Sequence, residues 1–142
     1  MRIMCLDVGM ARVGIAQSDP MQIIASPLEV LTRTASINND CKYVANLAHR
    51  NEVSKIIVGL PLKLDGSRSS SVDMAEEFVE KLKKFTDIEI EFQDERLSTV
   101  SAERILLEGN VRREKRKGVV DKIAATIILQ NYLDRIAYKN KF

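Results

Sequence analysis

The sequence predicts an α/β protein whose mixed sheet begins with antiparallel strands and continues with parallel ones. Three β-like segments come first, with no helical pattern between them. Apolar strands then alternate with amphipathic helices, which is typical of parallel crossover units. The predicted order is β-β-β-α-β-α-β-α-α, with helices on both faces of a five-stranded sheet. A chain of 142 residues with 45% hydrophobic content suits one domain over residues 1–142.

The first strand runs from the N-terminus into an acid, Asp7. Ile3, Cys5 and Asp7 alternate along it and therefore share one face of the sheet. A carboxylate in line with core-facing residues is costly without a partner, so this placement indicates a cation or a phosphate ligand. The alternative is an aspartate that caps the following turn. We expect Gly9 and Gly14 to keep side-chain bulk away from an approaching phosphate backbone.

The next two strands complete an antiparallel meander, and a helix follows it. Residues 12–18 form the second strand, which a glycine-containing turn joins to the first as a hairpin. Residues 23–30 are β-like but contain Pro27, which favours an edge strand because proline cannot donate to the ladder. Asparagine and aspartate caps, followed by apolar residues at helical spacing, predict a first helix within residues 38–51.

The second half alternates strands and helices. Residues 55–59 form a short apolar run, typical of a buried parallel strand. After a polar loop over residues 63–71, apolar residues at steps of three or four predict a helix over residues 72–85. Strict alternation predicts a strand over residues 88–93 with one exposed face. A capped helix over residues 100–108 follows.

The C-terminal part is predicted to join a basic loop to a long helix. The loop ends at Gly118, and its density of positive charge predicts contacts with phosphates. The alternative is a solvated run of charge. Asp121 then lies in the first turn of a helix that extends to about Tyr138, where an acid could also compensate the helix dipole. Five of the six residues in the loop are cations, namely Arg112, Arg113, Lys115, Arg116 and Lys117.

Charge, hydropathy and cysteine usage exclude several classes. Lys+Arg 22 against Asp+Glu 20 gives a net charge of +2, so any basic surface must come from local clustering. No apolar run approaches the ~20 residues that span a bilayer, and the N-terminus lacks a signal-peptide pattern, so we expect a cytosolic protein without membrane contact. Cys5 and Cys41 have no CxxC spacing and predict two reduced thiols. A metal site would therefore use oxygen ligands.

Three acidic positions are expected to converge at one edge of the sheet. Asp7 ends the first strand, Asp94 and Glu95 end the last, and Asp121 opens the final helix. Carboxylates held together repel one another and raise one another's pKa unless a divalent cation neutralises them. The convergence therefore predicts Mg²⁺ or Mn²⁺, two of which would activate water and stabilise the leaving oxygen in phosphodiester cleavage. Alternation along the strand does not choose between Asp94 and Glu95.

Two arginines lie close in sequence to the candidate acids. Arg12 follows Asp7 within the same hairpin, and Arg96 directly follows Glu95. Each could clamp a phosphate or form a structural ion pair. His49 has no pattern of acid and serine around it, so we expect a surface residue rather than a catalytic base.

Four segments together resemble the YqgF/RuvX family of bacterial RNase H-like proteins, which are assigned to pre-16S rRNA cleavage and are similar to Holliday-junction resolvases. The segments are LDVGMARVGIAQSD, IIVGLPLKLDG, DERLST and GVVDKIAATIIL, in that order. The resemblance implies an RNase H-like fold and a divalent-metal nuclease site on Asp7, Glu95 and Asp121. It also favours Glu95 over Asp94.

The expected function is a metal-dependent endonuclease for structured nucleic acid, with precursor 16S rRNA in ribosome biogenesis favoured over branched DNA. Junction resolution is one alternative, and a non-catalytic nucleic-acid-binding assembly factor is another. A third is an actin-like phosphotransferase, against which the length argues because such folds need two lobes to enclose ATP. The residues separate neither RNA from DNA nor a monomer from a homodimer.

Overall fold

A computed structural model describes residues 1–61, 70–94 and 113–141, with side chains from 123 to 139 in the last range, and shows a five-stranded sheet flanked by helices. The strands are β1 (Arg2–Val8), β2 (Arg12–Ser18), β3 (Ala25–Thr32), β4 (Val53–Leu60) and β5 (Glu89–Asp94). The helices are α1 (Ile37–Arg50), α2 (Ser70–Leu82) and α3 (Arg113–Lys141). Across the sheet the order is β3-β2-β1-β4-β5.

β1 lies at the centre of the sheet and is where its direction changes. It pairs antiparallel with β2, as in Cys5 with Ala16, and parallel with β4, as in Cys5 with Ile57. β3 adds to β2 antiparallel, and β5 adds to β4 parallel. The predicted mixed sheet is therefore confirmed. Because β1, β4 and β5 run in the same direction, their carboxyl ends lie at one edge.

The two faces of the sheet carry separate apolar clusters. Met4 and Leu6 of β1 pack with the buried residues of α1 and α2, including Val44 and Phe78. The alternate residues of β1 pack with α3 instead. That second cluster contains Ile3, Cys5, Ala16, Ile57, Ala125, Ile128 and Leu129. Helices therefore cover both faces, as predicted, because each strand alternates between two buried sides.

Local hydrogen bonds set the start of β3. The Asp19 carboxylate accepts the backbone N–H groups of Ile23 and Ile24 at 2.7 and 2.9 Å, which holds both residues in the turn. The strand therefore begins at Ala25 rather than at residue 23. It is an edge strand of the described sheet, and Pro27 lies within it, as expected.

β2 has the predicted bounds, and apart from the start of α3 the other described boundaries differ from the predictions by one to three residues. The Ser36 side chain caps α1 by accepting the Asn39 N–H at 3.1 Å. α2 ends at Leu82, not at residue 85. Most of the predicted loop over residues 63–71 and all of the predicted helix over residues 100–108 lie outside the described residues.

Both cysteines and the single histidine lie where the sequence predicts. Cys5 and Cys41 are buried, form no disulfide with each other, and lie on opposite faces of the sheet, one in each apolar cluster. His49 is exposed at the end of α1, and its Nε2 lies 2.9 Å from the hydroxyl of Thr86. His49 is thus a surface residue that joins α1 to the approach to β5.

The last helix begins earlier than predicted, at Arg113. The expected basic loop is therefore wrong from Arg113 onward, because these residues form the first turns of α3. Arginine, lysine and glutamate favour helices, and the cost of Gly118, about 1 kcal/mol relative to alanine, is small for a helix of 29 residues packed on a sheet. Asp121 lies eight residues after the helix start, so it does not compensate the dipole of a first turn. Within the described ranges, no helix is both long enough and apolar enough to cross a bilayer.

Candidate metal centre

Asp7 lies in a row of residues that crosses four strands near the edge where β1, β4 and β5 end. Its partner on β2 is Gly14. Leu6 pairs with Val58 of β4. The next residue of β4, Gly59, therefore lies beside Asp7 on the side opposite Gly14. Gly59 in turn pairs with Gln93 of β5. The row therefore reads Gly14, Asp7, Gly59, Gln93.

The row belongs to the face of the sheet that α3 covers. Cys5, two residues before Asp7, is buried against α3 together with its strand partners Ala16 and Ile57. Asp7 is one pleat closer to the strand ends and is only half-buried. The predicted shared face of Ile3, Cys5 and Asp7 is thus confirmed. The carboxylate lies where the apolar core gives way to the sheet edge.

Neither neighbour of Asp7 in this row has a side chain. Glycine in a strand interior weakens the strand and marks a place where another backbone or a ligand approaches. Gly14 was identifiable from the sequence because it lies in the same hairpin. Gly59 was not, because its place beside Asp7 depends on the parallel pairing of β1 with β4. Two glycines therefore leave the flanks of one carboxylate without side-chain bulk.

A tight turn connects β1 to β2 directly after Asp7. The N–H of Gly9 donates to the carbonyl oxygen of Arg12 at 2.8 Å. A Cβ atom on Gly9 would lie 2.8 Å from that same oxygen, closer than such contacts occur. Gly9 is therefore required by the turn itself, a reason that the sequence did not reveal. Arg12 is the first residue of β2. Because it lies two residues before Gly14, the strand partner of Asp7, it belongs to the same face of the sheet as Asp7.

Gln93 connects the end of β5 to α3. Its side chain is buried, and its Nε2 donates to the backbone carbonyl of Ile128 at 2.9 Å. Its Oε1 accepts from Nη2 of Arg135 at 2.7 Å. Sequence reasoning missed both residues, because Gln93 appeared on the exposed face of an amphipathic strand. The amide fixes the strand that leads towards Glu95 to the helix that carries Asp121.

Asp94 differs from Asp7 in its side of the sheet. It follows Gln93 and alternates with Phe92, which packs with Ile90 against the α1 and α2 cluster. Strand alternation therefore assigns Asp94 to the face opposite Asp7. Glu95 and Arg96 lie outside the described residues.

α3, the helix that contains Asp121, packs on the Asp7 side of the sheet. Asp121 precedes Ala125 by one helical turn, and Ala125 is fully buried against β1 and β2. Among the predicted phosphate contacts, Arg113, Lys115, Arg116 and Lys117 belong to the first turns of this helix, whereas Arg112 lies outside the described residues.

The donor set suits a hard divalent cation. Asp7, Glu95 and Asp121 offer carboxylate oxygens, and both cysteine thiols are buried in the apolar clusters. Carboxylate oxygens are the ligands that Mg²⁺ and Mn²⁺ prefer. Among the side chains that the structure describes, no three His, Cys, Asp or Glu residues gather into a metal site. That set includes Asp7 but neither Glu95 nor Asp121.

Comparison with known proteins identifies the family. The family described as "RuvX: Holliday junction resolvase" matches residues 1–135 of the chain. The chain belongs to the RuvX family. The resemblance carried by the four sequence segments is therefore confirmed, and with it the class of enzyme, a nuclease.

Curated RuvX relatives match the chain almost from end to end. The chain is 46% identical to a protein of Natranaerobius thermophilus over 99% of both chains. It is 45% identical to a protein of Halothermothrix orenii over 99% of this chain and 98% of the relative. Both relatives carry the name "Putative pre-16S rRNA nuclease".

Solved structures show which fold this RuvX-family chain has. RuvC of T. thermophilus in complex with a Holliday junction substrate covers 96% of each chain with a TM-score of 0.58 at 13% identity. A second structure of Thermus thermophilus RuvC gives a TM-score of 0.56, also at 13% identity. The predicted RNase H-like fold is confirmed by this likeness.

Lys55 of β4, four residues before Gly59, connects the sheet of this RuvX-family protein to α3. Nζ of Lys55 lies 3.4 Å from the Glu91 carboxylate and 5.4 Å from the centre of the Tyr132 ring. A hydrogen bond with Tyr132 and the nearby charge of Glu91 raise the pKa of Lys55. A groove of about 410 Å³ lies next to these residues and is lined in part by Arg135 and Lys139.

Proposed function

We propose that the chain is a divalent-metal-dependent endonuclease that cleaves precursor 16S rRNA during ribosome biogenesis. The observation that carries this proposal is the half-buried Asp7 between Gly14 and Gly59, at the edge where the three parallel strands end. Family membership supports the nuclease class, and the names of the relatives support the RNA substrate. We place this activity in the cytoplasm, because bacteria have no nucleus and mature their precursor rRNA there.

Asp7, Glu95 and Asp121 would hold the metal. When bound, Mg²⁺ or Mn²⁺ activates a water molecule and stabilises the oxygen that leaves the phosphorus. Asp7 supplies one carboxylate from a rigid strand inside the sheet, where flanking strands on both sides limit its movement. The neighbouring glycines add no side-chain bulk on the two strands that flank this carboxylate, which leaves room there for a phosphodiester.

Cations of the chain would bind the phosphates on either side of the cleaved bond. Arg12 starts the strand beside Asp7, and Arg96 follows Glu95 in sequence. The basic run lies at the start of α3, the helix that carries Asp121, so its backbone is helical from Arg113. Phosphate contacts make affinity fall steeply with salt. The proposed contacts are Arg12, Arg96, Arg112, Arg113, Lys115, Arg116 and Lys117.

A second candidate substrate is a four-way DNA junction. The description of the family favours it, since it names a Holliday junction resolvase. Resolution of a junction requires two cuts related by symmetry and therefore a homodimer with two sites, whereas cleavage of a precursor rRNA requires only one site. Sedimentation of the protein with and without a junction distinguishes these two modes.

Cleavage assays on matched substrates test the proposed function. The protein is incubated with Mg²⁺ or Mn²⁺ and with precursor 16S rRNA, junction DNA or a single strand of the same sequence. We expect cleavage of the precursor rRNA that requires the metal. If none of the three substrates is cut with either metal but RNA is bound in a salt-sensitive way, the protein is a non-catalytic assembly factor and not an enzyme.

Two aspartates provide a matched pair of variants. Asp7→Asn removes one charge from the proposed site, so we expect cleavage to fall at least a hundredfold while RNA affinity changes little. Asp94→Asn makes the same change on the opposite face of the sheet, and we expect it to cleave at a rate close to that of the wild type. Equal activity of both variants would contradict the assignment of Asp7.

A further inference from the structure

Arg33, which lies outside the β1–β2 hairpin, holds the turn that follows Asp7. Nη1 of Arg33 donates to the carbonyl oxygen of Gly9 at 3.0 Å. The backbone N–H of Arg33 donates to the carbonyl oxygen of Ala11 at 2.8 Å. Arg33 directly follows the last residue of β3, so the end of the edge strand closes over the β1–β2 turn. Two carbonyl groups of the turn, those of Gly9 and Ala11, therefore accept hydrogen bonds from Arg33.

The guanidinium group of Arg33 is itself held by two helices. Its Nε lies 3.8 Å from the Asp40 carboxylate of α1, and the group stacks 5.5 Å above the ring of Phe78 in α2. The side chain is 15% exposed, and that of Asp40 only 1%. Thr34 donates its N–H and its hydroxyl to the same carboxylate at 3.1 and 2.9 Å. Asp40, Thr34 and Phe78 thus leave Arg33 little freedom.

An ion pair with one buried and one largely buried partner is a poor source of stability. Removing two charges from water costs roughly as much as their mutual attraction returns, and an apolar replacement of both is often neutral. The turn is also already closed by its own hydrogen bond between Gly9 and Arg12. What the Arg33–Asp40 pair adds is a fixed geometry at the end of β1, two residues from Asp7.

We infer that Arg33 is a positioning residue for the carboxylate of Asp7, with Asp40 as its anchor. A ligand carboxylate must be held to within about 0.5 Å of its working position, and the strand end that carries Asp7 is fixed by the turn that Arg33 holds. This inference rests on the proposed metal site. Arg33 is held by α1 and α2 on one face of the sheet, whereas the proposed metal site lies on the face that α3 covers. Residues on the first face would therefore position a metal ligand on the second.

Three variants separate geometry from charge. Arg33→Met removes the donor to Gly9 and keeps an apolar stem over Phe78. Because Asp40 would then be buried without its counter-ion, Arg33→Met/Asp40→Asn is made as well, and this double variant has no unpaired charge. Arg33→Lys keeps the positive charge but has a single ammonium group for two partners. Arg50→Met, at the exposed end of α1, is the matched control.

Mn²⁺ affinity, measured by electron paramagnetic resonance titration, is the main readout. We expect about tenfold weaker binding in Arg33→Met and in the double variant, the size typical of losing an outer-shell partner. Arg33→Lys should fall between these and the wild type, and Arg50→Met should equal the wild type. Amide exchange of Gly9 should accelerate in the variants that lose the guanidinium. In cleavage, kcat should fall while KM for the nucleic acid stays constant.

The outcomes distinguish this inference from the proposed function. If the wild type binds Mn²⁺ and the folded double variant binds it equally well, the role of Arg33 is refuted, whatever the cleavage assays show. If the wild type binds Mn²⁺ and the double variant loses affinity, but no substrate is cut, the positioning role stands and the proposed reaction does not. If the wild type binds no Mn²⁺ at all, both are overturned.

Discussion

Replacing Gly9 by alanine should destabilise the hairpin that carries Asp7. The added Cβ would lie 2.8 Å from the carbonyl oxygen of Arg12, whereas ordinary contacts begin at 3.4 Å, so about 0.6 Å of backbone movement is needed. That oxygen also accepts the Gly9 N–H, so it cannot retreat without lengthening the bond that closes the turn. Backbone strain of this kind costs about 1–3 kcal/mol. For a chain of this size we expect Tm to fall by roughly 3–10 °C.

Thermal unfolding followed by circular dichroism measures the effect. Met10→Ala changes the adjacent position of the same turn, and because Met10 is 83% exposed we expect its Tm to match that of the wild type. Cleavage by Gly9→Ala should fall as well, at a temperature where the variant is folded, since the turn fixes the strand end at Asp7. A Tm for Gly9→Ala within 1 °C of the wild type would refute the steric argument.

Three further predictions concern other parts of the molecule. Gln93→Leu loses two hydrogen bonds from a buried amide and leaves a helix carbonyl without its extra donor, so urea unfolding should show a loss of about 1–3 kcal/mol; an unchanged midpoint would contradict this. Burial raises the pKa of the Cys41 thiol to about 11 from 9.0. The unfolded chain therefore loses this proton at lower pH than the folded chain, and the free energy of unfolding should fall between pH 9 and pH 11, less so in Cys41→Ala. Asp19→Ala should accelerate amide exchange at Ile23 and Ile24, whose N–H groups the carboxylate accepts, and equal protection in both proteins would show that the turn holds without it.

The sheet could be predicted because its signals are local. Alternation along β1 assigned Asp7 to the correct face, and Pro27 indicated an edge strand before any strand order was known. The continuous apolar run of β4 indicated a strand buried on both sides. Each of these inferences uses only the pleat period and the chemistry of proline, so neighbours in sequence are sufficient.

Features that depend on distant pairing could not be predicted in the same way. The place of Gly59 beside Asp7 follows only from the pairing of β4 with β1. The contact of Arg33 with the first turn likewise follows only from the position of the end of β3. Gln93 seemed exposed because its strand alternates, yet α3 covers that face and accepts its hydrogen bond. The start of α3 was misplaced because the predicted basic loop ended at Gly118, and the packing that outweighs the cost of a glycine inside a helix is not visible in the sequence.

The position of α3 has a consequence for how this chain folds during its synthesis. Ile3, Cys5 and Ile57 lie in the first half of the sequence, but the residues that cover them belong to the last helix. A nascent chain that has completed β1, β2 and β4 therefore still exposes one apolar face of its sheet to water. The hairpin can form early, whereas the finished core must wait for the C-terminus to leave the ribosome. Loss of the last helix should thus leave a sheet prone to aggregation rather than a smaller folded protein.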